Sequence, residues 1–190
     1  MKVVLKKYII RIILKCRKIK YNLYSTNINV SGEKIAHQPV ILKGKGKISF
    51  GHQVNFGVIN SPHFYNTYAY LESRNRDSIL EFGNNIHINN GFSAVSEKSI
   101  TIMDNVLVGY NCSIIDSSFH NIQVDKRNET DPNPKKVIIE KNVFIGNNVT
   151  ILKGVTIGEN SVIANGSIVT KSFTKGVVIA GIPAVIIKKI

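Results

Sequence analysis

Between Ile145 and Thr174 an aliphatic residue returns at every sixth position: IGNNVT, ILKGVT, IGENSV, IANGSI, VTKSFT. The first position holds Ile145, Ile151, Ile157, Ile163 and Val169, and the fifth holds Val149, Val155, Ser161, Ser167 and Phe173. Asn, Gly and Glu fill the places between. No α-helix has a period of six, whereas a short strand followed by a tight turn does. Three such units predict a triangular coil of about 18 residues, and stacked coils make a β-solenoid.

The same rhythm runs upstream with interruptions. Ile102, Val108 and Ile114 hold first positions, with Val106, Cys112 and Ser118 at the fifth. Phe82–Ile86 and Ile88–Phe92 fit the template, and Val54–Val58 fits it weakly. Ile139 and Val143 resume the frame after a break, so that ten or more hexads match between Phe82 and Phe173. The pattern predicts an all-β solenoid over 82–178, preceded over 26–81 by an irregular segment with early coils. A loop projects at 121–136, where NIQVDKRNETDPNPKK breaks the rhythm. Residues 179–190 form a C-terminal cap, since the end of a solenoid exposes sheet edges.

Residues 1–25, MKVVLKKYIIRIILKCRKIKYNLYS, carry eight basic residues and no acid. Leu5, Ile9, Ile12, Ile13 and Cys16 recur at helical spacing, which predicts a basic amphipathic helix. Two placements are open: residues 1–20 lying on an anionic inner leaflet, or packing against the fold with solvated lysines. Its uncharged runs are far shorter than the roughly 20 residues of a membrane span, and no signal-peptide core is present.

The 190 residues suffice for one domain with a sizeable core. A net charge of +13 invites an anionic partner, but the basic run has no base-stacking surface, which argues against nucleic acid. Cys16 and Cys112, without metal-ligand spacing, read as two reduced thiols of a cytoplasmic protein. No metal cluster is expected.

Candidate chemistry centres on IIDSSFHNI, Ile114–Ile122. Ile114 opens a hexad, and His120 falls six residues later, where an aliphatic corner is due. The polar break follows at once, so His120 stands at the root of an excursion from the solenoid. His87, in Asn-Asn-Ile-His, reads instead as a solvated side chain in a turn.

The hexads, the stretch GVTIGENSVIANGSIVTK (Gly154–Lys171) and the ending AGIPAVIIKKI (Ala180–Ile190) resemble the hexapeptide-repeat acyltransferases. The similarity is closest to polysaccharide and sugar O-acetyltransferases, including the galactoside and maltose enzymes. It implies a left-handed parallel β-helix, a homotrimer, and acetyl-CoA as co-substrate without a metal. In such enzymes an Asp-x-Asp-x-His element supplies the general base. The match here is Asp116-Ser117-Ser118-Phe119-His120, with Ser118 where a second acid is common. The resemblance makes His120 the base, and Asp116 either orients the imidazole or contacts the acceptor. Histidine exchanges its proton near neutral pH, and a backbone N–H would stabilise the oxyanion formed on the thioester carbonyl. Asn147, Asn165, Thr170, Lys171 and Lys188 match CoA-contact positions, while Val185 stands where those relatives use arginine.

The implied reaction is O-acetylation of a sugar in a surface polysaccharide or its precursor. Two alternatives stay open: a small acceptor (serine, a free sugar, a nucleotide-linked amino-sugar or a xenobiotic), and a non-catalytic solenoid scaffold.

Overall fold

The structure, a computed structural model, describes residues 2–190, with side chains from Leu5 onward; Met1, within the predicted 1–25 helix, lies outside them. Helix α1 spans Lys2–Leu23 and is followed by strands that wind through three sheets in turn. The first coil holds β1 (Val30–Ser31), β2 (Lys34–Ala36) and β3 (Val40–Gly44); the second, β4 (Lys47–Phe50), β5 (Val54–Phe56) and β6 (Ala69–Ser73). Next come β7 (Ile79–Phe82), β8 (Ile86–Ile88) and β9 (Ser93–Ser96), then β10 (Ser99–Ile102), β11 (Leu107–Val108) and β12 (Ser113–Ile115). The fifth coil holds β13 (Val137–Ile139), β14 (Phe144–Ile145) and β15 (Thr150–Ile151), and the sixth β16 (Thr156–Ile157), β17 (Val162–Ile163) and β18 (Ile168–Val169). Finally β19 (Val177–Gly181) and β20 (Ala184–Lys189) form a hairpin.

Every third strand pairs in parallel, giving sheet A (β1 to β16), sheet B (β2 to β20) and sheet C (β3 to β18). The parallel solenoid is therefore present, and its coils begin at Val30. Phe82 marks where the hexads become regular, not where the solenoid starts. Equivalent residues lie 18 apart in the last coils and 20 apart in the middle ones. They lie 37 apart across the loop after β12 and 32 apart across a second excursion, 57–68, after β5. These extra residues hide the period upstream.

Hexad positions one and five point inward to a continuous core running from Val40 to Ala184. Phe50 and Phe82 stack at 5.2 Å between ring centroids, with Phe56 edge-on to both. These rings fill the early coils, where the residue pattern departs furthest from Ile and Val.

Asparagines order the corners. Asn85, Asn105, Asn142 and Asn160 all adopt left-handed φ of 54–60° between sheets A and B. Asn85 Nδ2 donates to Asn105 Oδ1 at 3.3 Å, and Asn142 Nδ2 to Asn160 Oδ1 at 2.8 Å. Asn tolerates this conformation better than most residues, which explains its frequency mid-hexad. Coils also approach closely here: a Cβ on Gly146 would lie 2.4 Å from Asn165 Oδ1 and 2.8 Å from its backbone N. Gly146→Ala is expected to lower stability by about 1–3 kcal/mol through overpacking, measured by thermal melting.

α1 is an amphipathic helix, and the stripe that meets the fold is not the one picked out by the spacing of Leu5, Ile9, Ile12, Ile13 and Cys16. Ile10, Leu14, Arg17 and Tyr21 are half-buried against the fold. Leu5, Ile9, Ile12, Ile13 and Cys16 face outward and are exposed. Arg17 donates to the carbonyls of Phe64 (3.0 Å) and Thr67 (2.6 Å), and Tyr21 packs on Tyr68. Those bonds tie the helix to the 57–68 excursion. No helix among the described residues is long and apolar enough to cross a membrane.

At the other end, the segment predicted as a C-terminal cap forms a hairpin that extends sheet B. Only Ala184 of β20 is buried, while Val185, Ile186 and Ile187 are exposed. β20 therefore covers one sheet edge, with β16 and β18 terminating the other two sheets.

Candidate active site

The corner leading from sheet C back to sheet A carries nearly all the buried charge of the solenoid. It holds Arg74 after β6, Glu97 after β9, Asp116–His120 after β12 and Lys153 after β15. Asp116 is fully buried and both its oxygens are occupied by the preceding coil. Oδ2 accepts from Ser96 Oγ at 2.7 Å and Lys98 N at 2.8 Å, and Oδ1 from Glu97 N at 2.7 Å. In this structure Asp116 bonds to that coil, while the imidazole of His120 is held by the Arg127 carbonyl. The Asp116 carboxylate satisfies the turn that joins β9 to β10.

The next residues steer the chain outward. Ser117 Oγ accepts from Phe119 N at 2.9 Å, a local turn that competes with the ladder. Phe119 then takes a left-handed φ of 59°, an uncommon state for a bulky residue. The Arg74 guanidinium lies over its ring at 4.4 Å and secures it. After this reversal His120 is exposed instead of filling the aliphatic corner its hexad position would give.

The loop after His120 is closed at both ends. Asn121 N donates to Glu129 O at 3.0 Å, and Lys135 N to Asp116 O at 2.8 Å. Inside it, Asp131 is buried and accepts from Ser118 N at 2.8 Å, from Asn133 N at 2.9 Å and from the Lys153 ammonium. Ser117 Oγ donates to Glu97, whose other oxygen accepts from Thr130 Oγ1 at 3.1 Å and pairs with Arg74. Burial pushes the Asp131 carboxyl up, but the Lys153 ammonium and the two backbone N–H groups outweigh it and hold the carboxyl well below the usual range. Glu97, Asp131 and Lys153 had no signal in the hexad count; each sits beyond the last inward position of a sheet C strand, where the period says nothing about side-chain partners.

Within this frame His120 Nδ1 lies 2.8 Å from the backbone carbonyl oxygen of Arg127. A carbonyl can only accept, so Nδ1 carries the hydrogen and the neutral ring presents Nε2 as an acceptor. The orienting partner is a main-chain atom of the loop, which no motif could reveal. His87, by contrast, stands on the outer face of β8 and is exposed, in a strand where a turn is expected.

Other predicted contacts divide between corners. Asn147 and Asn165 stack between sheets B and C: Tyr110 N donates to Asn147 Oδ1 at 3.0 Å, and Asn147 N to Asn165 Oδ1 at 2.7 Å. Their carboxamide oxygens hold coils together, and no N–H of either side chain bonds within the described residues. Thr170 and Lys171 are exposed just after β18, on the corner of His120 and two coils further on, about 10 Å along the axis. Lys188 is exposed on β20, the edge strand of sheet B, and shares neither corner. Among the described residues no group of three or more His, Cys, Asp or Glu side chains is placed to hold a metal.

Comparison with known proteins agrees with this architecture. Residues 136–171 match the family described as the hexapeptide repeat of succinyl-transferase. The chain is 40% identical to a galactoside O-acetyltransferase of Escherichia coli (strain K12) over 117 residues, covering 58% of this chain and 57% of the relative. It thus spans less than two thirds of that relative's length. Among solved structures, a galactoside acetyltransferase in complex with coenzyme A superposes with a TM-score of 0.56 and 29% identity, over 85% of this chain and 64% of that one. A hexapeptide-repeat acetyltransferase from Vibrio cholerae O1 biovar eltor, complexed with acetyl-CoA, gives 0.54 and 26%, over 82% and 70%. The fold is the left-handed parallel β-helix of such acetyltransferases.

Proposed function

We propose that this hexapeptide-repeat protein is an acetyl-CoA-dependent O-acetyltransferase acting on a sugar hydroxyl, with His120 as general base. The observation that carries the reading is the imidazole tethered through Nδ1 to the Arg127 carbonyl, with Nε2 open at an exposed corner. Galactoside acetyltransferases at 29–40% identity support it. Acetyl-CoA supplies an activated carbonyl and a thiolate leaving group. Nε2 accepts the proton of the acceptor hydroxyl as its oxygen attacks, and the imidazolium returns that proton to the departing sulfur. The Arg127 carbonyl holds the ring in one orientation throughout and fixes the tautomer of its neutral form.

CoA carries its thioester and its phosphates at opposite ends. An exposed cation lies on the same corner as the base, two coils further along the axis. Lys171 and Thr170 would hold the polyanionic part, with the free carboxamide N–H groups of Asn147 and Asn165 at the other border of sheet C. Lys188 is the outlying candidate. Lys171→Ala is expected to raise KM for acetyl-CoA about 3–10-fold with little change in kcat, the signature of lost uniform binding.

The acceptor is a surface polysaccharide or its lipid-linked precursor, and the active form is a homotrimer. Supporting the trimer, Leu107 and Phe144 are register neighbours on the outer face of sheet B and half exposed. Ile122 and Val124, beside His120, are over 80% exposed, as a loop reaching a neighbouring subunit would be. The outward stripe of α1, with Lys6, Lys7 and Lys20 in the same helix, suits peripheral attachment to the anionic inner leaflet.

Thiol release from acetyl-CoA, followed across sugars, oligosaccharides, amino acids and xenobiotics, tests the reading. Turnover is expected with a glycan hydroxyl. Preferred turnover of serine or a xenobiotic would replace the acceptor class, and none with any acceptor would leave a scaffold.

A further inference from the structure

Far from His120, a groove runs along the flank of α1 where the helix lies on the first two coils. Its N-terminal part, about 680 Å³, is bounded by Arg11 and Leu14 on the helix and by His37, Gly57–Ile59 and Phe64 on the coils. Its C-terminal part, about 380 Å³, reaches Leu23, Lys34, Gln38 and Val40. Lys15 and Lys18 line both, so the two parts meet at a pair of cations. Among the described residues no carboxylate lines either part. The groove is strongly cationic along one edge and mostly apolar elsewhere.

Gln38 points to a ligand independently. It is 1% exposed, and neither its Oε1 nor its Nε2 has a hydrogen-bond partner among the described residues. Buried carboxamides are nearly always satisfied, because an unmet donor and acceptor in a low-dielectric site are costly. Gly57, at φ +98°, leaves room for this side chain, and a Cβ there would lie 2.8 Å from Gln38 Cγ. Lys34, which lines the same part of the groove, is held below its ordinary pKa by burial, and its ammonium lies over the Phe50 ring at 5.7 Å.

We propose that this groove binds a phosphorylated amphiphile: a phosphate between Lys15 and Lys18, its aliphatic chain along Leu14, Ile59 and Phe64, and a hydroxyl or amide beside the phosphate paired with Gln38. The site is separate from the acetyl-transfer centre. It lies on the corner between sheets B and C in the first two coils, whereas His120 lies between sheets C and A in the fourth. The bonds from Arg17 to Phe64 and Thr67 keep the helix and the 57–68 excursion together as its two walls.

Calorimetric titration of the full-length protein with decyl phosphate, below its micelle concentration, tests this. Saturable binding of one molecule per chain is expected, with inorganic phosphate and decyl maltoside each at least about tenfold weaker. The pair Lys15→Glu and Lys18→Glu should weaken decyl phosphate at least about tenfold. Gln38→Leu should weaken a hydroxylated analogue, a glycerol-phosphate ester of the same chain length, about fivefold or more while leaving thermal stability equal or higher. His120→Ala should bind as the parent does, which separates this site from the acetyl-transfer reading. Equal binding of decyl maltoside would mean a merely apolar cleft and overturn the proposal. So would full affinity in the Lys15/Lys18 pair, or binding seen only with phosphatidylglycerol vesicles and not with monomeric amphiphile.

Discussion

His120→Ala is expected to lower kcat by about 10²–10⁴-fold, the usual contribution of a positioned general base, while the melting temperature should stay close to that of the parent. Both halves follow from the geometry. The imidazole is exposed and among the described residues its only bond runs to the Arg127 carbonyl, so its removal opens no cavity and strands no buried charge. His120→Asn is the informative companion. Its carboxamide can still donate to the Arg127 carbonyl, yet it has no basic nitrogen to take a proton. It is therefore expected to keep the loop contact and to remain as inactive as the alanine variant. Thiol release measured with the best acceptor, alongside thermal melting, checks both. A His120→Ala protein with parental kcat would remove the imidazole from the mechanism.

Lys153→Met has the largest expected effect on stability. It leaves the buried Asp131 carboxylate without its ammonium, though Ser118 N and Asn133 N still donate to it. Breaking a fully buried pair costs 3–5 kcal/mol; with Lys153 still 29% exposed, about 2–3 kcal/mol is expected here. Removing both charges with Asp131→Asn should recover part of the loss. The acid dependence has a definite sign. The folded carboxyl titrates below its unfolded value of about 3.9, so the pair's stabilisation is fully present above that value. It is lost as pH falls below about 3.9 towards the folded value. Melts of the parent and Lys153→Met should therefore differ at pH 7 and converge in strong acid. A constant gap across that range would mean that Lys153 acts by packing alone.

The solenoid itself was legible because its core repeats. Ile145, Ile151, Ile157 and Ile163 do the same task in successive strands, and a period survives only where each turn solves one problem in one way. Early coils were less legible since Phe50, Phe56 and Phe82 fill the same space with fewer, larger side chains, and 57–68 interrupts the count. Helix α1 was legible as amphipathic, but two apolar stripes lie on it. Ile10, Leu14 and Tyr21 meet the fold, while the more conspicuous Leu5, Ile9 and Ile13 do not. At the site, His120 stood out as a break in rhythm. Its tether to Arg127, and the pairing of Asp131 with Lys153, depend on where a loop folds back. Nothing in spacing encodes that.

The two excursions return to the solenoid without disturbing its phase. Phe56 still stacks on Ile88, and Ile114 on Ile151, although 57–68 and 121–136 lie between neighbouring coils. A corner can therefore accept a segment of almost any length, provided the chain re-enters on an inward residue. The strands and the corners are then free to diversify separately. Exchanging 121–136 for another closed loop would alter what meets the imidazole while leaving the register beneath it unchanged, and exchanging 57–68 would reshape the groove beside α1, provided the new segment again supplies partners for the buried Asn90. Specificity in such a scaffold is carried by interchangeable parts, each attached to a frame that keeps its own count.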